Sequence, residues 1–131
     1  MGNYGIVSKV SLAYDKALAK TREALKAEGF GVITEIDFRK TVKEKPGVES
    51  RPYIILGACN PSLAHRAISA EPEIGLLMPC NVCVWDNGDG TTTVAAIDVK
   101  TIFQLVQNPG LSEIVEKVNA QVRRVVQAVR A

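Results

Sequence analysis

Three cysteines and a single histidine stand in this chain of 131 residues, and all four fall between Tyr53 and Trp85 together with the only tryptophan. Two Cys-Asn pairs, Cys59-Asn60 and Cys80-Asn81, lie at the ends or edges of two strongly apolar runs. An ionised thiol is a nucleophile, a redox centre or a soft-metal ligand. The amide of Asn60 or Asn81 adds a donor and an acceptor that can orient a ligand. Cys59 directly precedes Asn60-Pro61, which reads as a helix cap with proline at the first helical position. The positive end of that helix would favour a thiolate at Cys59. The plainer reading is a small, inert cysteine closing a buried strand.

Cys59 and Cys80 are the candidate metal ligands, because the third and fourth strands can be neighbours. His65 lies on the polar side of the helix after Pro61 and reads as a surface residue. A zinc site would therefore need a carboxylate or water as well, and a closed structural site is not expected. Cys80 and Cys83 have the two-residue spacing of redox and zinc motifs, but the surrounding Met-Pro-Cys-Asn-Val-Cys-Val-Trp reads as strand. Residues three apart in a strand point to opposite faces, with Cα atoms about 10 Å apart. A disulfide tolerates only about 7 Å.

Among the carboxylates, Glu35 and Asp37 end the second strand and Asp98 lies near the end of the fifth, among apolar neighbours that would raise a pKa. Asp37 and Asp98 each precede a short helix, so capping is the plainer role. Glu35 is the polar partner nominated for the cysteine site. The sequence shows no calcium loop, phosphate-binding glycine loop or Gly-x-Ser-x-Gly elbow.

The elements that must position these residues follow from periodicity. Tyr4 to Val10 reads as a strand, and Ser11 offers a cap to a helix running to about Glu28, ended by Gly29. Phe30 to Ile36 is the second strand, followed by a short helix over 38–42. Tyr53 to Ala58, nearly continuous in apolar residues, reads as a strand buried on both faces. The helix after Asn60 stops at Glu71-Pro72. Ile74 to Trp85 and Thr91 to Val99 read as strands joined by the Asp86–Gly90 hairpin loop. A short helix from Lys100 to Val106 precedes a long one, capped by Ser112, with a stripe of Ile114, Val118, Val122, Val125 and Val129. Strand, helix, four strands and helix predict an α+β fold, with a single mainly antiparallel sheet of about five strands and helices on one face.

Length predicts one domain over 1–131. The 47% apolar and 23% charged content is that of a globular chain. A net charge of +2 and 5% aromatics give no footing for nucleic acid. No apolar run reaches the ~20 residues of a membrane span, and the first residues lack a signal-peptide pattern. Met1-Gly2 hints at myristoylation, but Ile6 stands where that pattern wants Ser or Thr. Three cysteines, an odd number without a framework, predict a reducing cytoplasm.

The segments Thr34-Glu35-Ile36-Asp37, Lys43-Glu44-Lys45, Arg51 to Pro61 and Ile74 to Val82 resemble the domain-of-unknown-function family numbered 302, over nearly the whole chain. That resemblance implies an α+β domain of the TATA-binding-protein-like type and no assigned activity. The family usually has an aliphatic residue where Cys83 stands and often a proline where Val99 stands.

Taken together, the residues favour a small cytoplasmic module that binds a small molecule or a soft metal ion through Cys59, Asn60, Cys80 and Asn81, with Glu35 nearby. One alternative is a thiol enzyme with Cys59 as nucleophile or redox centre and Cys80 as resolving thiol. The other is a non-catalytic domain that forms a homodimer through a sheet edge or the valine-rich helix.

Overall fold

The computed structural model describes residues 3–130. Met1 and Gly2, the start of the myristoylation pattern that Ile6 breaks, lie outside the described residues. Strands β1 (Gly5–Val10), β2 (Gly31–Asp37), β3 (Tyr53–Cys59), β4 (Cys80–Asp86) and β5 (Thr92–Ile97) form one antiparallel sheet in the order β1-β5-β4-β3-β2. Two long helices, α1 (Tyr14–Ala27) and α5 (Ser112–Arg130), pack on the sheet and on each other. Three shorter helices, α2 (Phe38–Lys43), α3 (Pro61–Ala70) and α4 (Val99–Phe103), follow strand ends. This is the α+β arrangement that the order of elements predicts.

The core lies between the sheet and the helices. Ile54, Leu56 and Ala58 of β3, Val82 and Val84 of β4, and Val94 and Ala96 of β5 are buried on one face. They meet Ala17, Ala24 and Leu25 of α1 and Val122, Val125 and Val129 of α5. Each fully buried Val or Leu contributes roughly 1.5–3 kcal/mol. That packing holds α5 helical despite its many β-branched residues, whose stiff side chains disfavour an isolated helix. The valine stripe is therefore core and is not free to form an interface.

The opposite sheet face carries none of the helices that cover the core; only Phe38, at the start of α2, reaches its margin, against Tyr53. We term this the helix-free face. Tyr53 and Ile55 are only half-buried, in alternation with Ile54 and Leu56. Burial of β3 on both faces is thus corrected: its apolar run is continuous, but the crossing helices all lie to one side.

Three further boundaries differ from the sequence reading. Helix α1 starts after Ala13, with no side-chain cap; the Leu12 carbonyl accepts a 2.8 Å hydrogen bond from the Thr92 hydroxyl, which keeps Ser11 and Leu12 tied to the sheet. Pro72–Leu77 is a 3-10 turn rather than strand, and β4 begins only at Cys80. Two prolines, Pro72 and Pro79, bracket that turn and lack the amide a ladder needs. Ser112 already has helical angles, and the entry to α5 is made by a 3-10 turn at Pro109–Leu111. Asn108 caps that turn, accepting from the Gly110 amide at 2.9 Å.

The end of α1 follows its expected chemistry. Gly29 has φ +85°, and the amides of Gly29 and Phe30 donate to the carbonyls of Lys26 and Leu25, each at 3.0 Å. That pair of bonds turns the chain into β2 and buries Phe30.

Candidate functional site

β3 ends at Cys59, the chain turns at Asn60, and Pro61 opens α3. On the neighbouring strand Cys80 is the register partner of Ala58. Between these strand ends and helices α3, α4 and α5 lies a cavity of about 40 Å³ lined by Cys59, Asn60, Met78 and Cys80, with Phe30 and Phe103 among its apolar walls. A space of that size holds a few waters or one ion. It is far below the several hundred Å³ of a metabolite pocket.

The polar and sulfur groups of this cavity are few. Burial, and then the nearby charge of Cys59, push the Cys80 thiol up to about 11. Cys59 is thus close enough to oppose ionisation of Cys80. All three cysteines are free thiols. Asn60 occupies the cap position of α3 without making a side-chain cap bond; its Oδ1 instead accepts from the Ser62 hydroxyl at 3.3 Å. Met78, two residues before Cys80, brings a third sulfur to the same wall. Its place beside Pro79-Cys80 is the sequence signal for it, though a lone methionine in an apolar run reads as core.

The other nominated residues fall elsewhere. Asn81 is exposed on the helix-free face of the sheet, beside Cys83 and Trp85. Cys80 and Cys83 thus lie on opposite faces, as strand alternation requires. Glu35 faces α1 and forms an exposed ion pair with Arg22. Asp37 caps α2, its Oδ1 accepting from the Lys40 amide at 3.0 Å. Asp98 caps α4 through the Thr101 amide at 3.3 Å and also pairs with Arg123 at 3.4 Å. His65 is exposed on α3. No group of three or more His, Cys, Asp or Glu among the described residues could hold a metal ion.

The helix-free face has its own order. Val7, Ala95, Cys83, Ile55 and Ile36 are successive register partners, so they form one apolar row across all five strands. Beside it the rings of Tyr53 and Trp85 stack in parallel at 5.4 Å, and Phe38 meets Tyr53 edge-on at 5.9 Å. Burial, and then its hydrogen bond with Cys83, push the Tyr53 hydroxyl up to about 12. No helix among the described residues is long and apolar enough to cross a membrane.

Comparison with known proteins places this architecture. No curated protein matches the chain. The crystal structure of an uncharacterized conserved protein, DUF302 from Bacillus stearothermophilus, superposes with a TM-score of 0.89 at 26% identity, covering 98% of this chain and 100% of that one. The family model described as domain of unknown function DUF302 matches residues 6–129. The chain therefore belongs to the DUF302 family, whose function is unknown.

Proposed function

We propose that the protein is a small, one-domain, non-catalytic module that captures a single soft metal ion, with cuprous copper the best chemical match. One observation carries this reading: Cys59, Cys80 and Met78 line the same apolar, ion-sized cavity. Thiolate and thioether sulfurs select Cu(I) over the hard cations. Cuprous copper also accepts two or three ligands, so a larger cluster is unnecessary.

The electrostatics support capture rather than thiol catalysis. Cys80, held up at about 11, is a poor resolving thiolate at neutral pH. A cation between the sulfurs would offset the repulsion from Cys59 that opposes ionisation of Cys80. Binding would release the displaced thiol protons to solvent, so affinity should rise with pH. In this reading Asn60 flanks the ion, while Asn81 and Glu35 take no part. A reducing compartment such as the cytoplasm would keep both copper and cysteines in the required state.

The test is anaerobic competition between the protein and a chromogenic Cu(I) chelator. The protein should withhold one equivalent of copper, Cys59→Ala and Cys80→Ala should abolish retention, and Met78→Leu should weaken it. Complete transfer of copper from the wild-type protein to a weak chelator would overturn the proposal.

A further inference from the structure

We infer that the helix-free face of the sheet is covered by the same face of a second copy of this chain. The apolar row Val7-Ala95-Cys83-Ile55-Ile36 spans the sheet from edge to edge. At about 4.8 Å between strands it is roughly 19 Å long, which exceeds a metabolite and suits another sheet. Val7 and Ile36, at its two ends, are 39% and 48% exposed, so the row reaches solvent at both edges.

Charge favours a copy of the same face. The row holds no ionisable residue except the Cys83 thiol. Lys9, at one corner of the face, already lies 3.7 Å from Asp89. Arg51 also borders the face, beside Tyr53, Ile55 and Trp85, so it is the row itself that meets its copy without like-charge repulsion, and the chain's net charge of +2 adds little.

Geometry favours a twofold arrangement. β4 is the middle strand of the five and Cys83 its middle residue. An axis near Cys83 lays the row of one copy along the row of the other, giving the self-complementary contact of a symmetric dimer. The area is sufficient: five strands of about six residues present roughly 480 Å² per copy. Two copies together bury roughly 1,000 Å², the threshold for a specific interface, before Phe38 and Tyr4 at the margins are counted. Face-to-face sheets pack in this way about 10 Å apart.

Trp85, the only tryptophan, lies on this face and reports on it. Sedimentation of the full chain from micromolar to submillimolar concentration should show a monomer–dimer equilibrium. Trp85 emission should move to the blue over the same range. The exposed-end variants Val7→Glu and Ile36→Glu, separately and together, should sediment as monomers while keeping cooperative thermal unfolding. A wild-type protein that stays monomeric throughout would overturn the inference. So would a dimer that survives both substitutions, or a dimer whose formation leaves Trp85 emission unchanged.

Discussion

Cys80 and Tyr53 are the two side chains held furthest from their ordinary ionisation, and Cys80 is the one that lines the cavity. Its thiol is raised from 9.0 to about 11, so the fold favours the protonated form. Below the unfolded value both states keep the proton and this stabilisation is fully present. As pH climbs from about 9 towards 11 the unfolded chain ionises first, and stability of the metal-free protein falls by something on the order of 2 kcal/mol. Denaturant unfolding across that range should show the slope, and Cys80→Ala should flatten it. Tyr53, at about 12, acts with the same sign at higher pH, so Tyr53→Phe should leave the lower part of the slope in place. Glu35 offers the contrast: its ion pair with Arg22 is exposed on both sides. Glu35→Gln should cost less than about 1 kcal/mol in chemical denaturation and leave copper retention unchanged. The two aspartate caps were legible in sequence, because Asp37 and Asp98 each stand directly before a short helix. The separation of Asn81 from Asn60 follows from strand alternation, whereas the distance of Glu35 from the cysteines depends on strand order, which spacing does not encode.

At the scale of elements, the join between β2, β3 and the approach to β4 is tightest at Gly57. A Cβ there would collide with the Thr34 side chain and lie 2.8 Å from Pro79 Cγ. Gly57→Ala should therefore destabilise the protein by about 1–3 kcal/mol, as overpacking does, measured by thermal or denaturant unfolding. β2 absorbs its own irregularity by a register shift between Val32 and Thr34, which leaves Ile33 exposed. Long elements with clear periodicity were readable: α1 with its Gly29 exit, β3, and the valine stripe of α5. Ile74 to Leu77 was not, because a short apolar run satisfies a strand and a helical turn equally. Ile74 is in fact buried from within a 3-10 turn. Ser11 and Ser112 show the same limit: a cap residue marks a helix start only when the tertiary bonds of its neighbours allow it.

For the whole molecule, the sheet divides two environments with different work. One face builds the core and, at the ends of β3 and β4, encloses the sulfur-lined cavity. The other face exposes the apolar row and the Tyr53–Trp85 stack. The fold class was legible because each element is amphipathic or bounded by turn residues. The sidedness was not: a continuous apolar strand such as β3 looks alike whether its second face meets a helix, another chain or water. The cavity was half legible, since the Cys-Asn blocks pointed to adjacent strand ends, while Met78 joined it only once β4 was seen to start at Cys80. The account turns on those sulfurs acting together, and anaerobic Cu(I) competition followed over pH tests it most directly. Retention of one copper by the wild-type chain, strengthening with pH and lost in both Cys59→Ala and Cys80→Ala, is the predicted result; copper that passes wholly to a weak chelator, or that is held equally well without either cysteine, would contradict it.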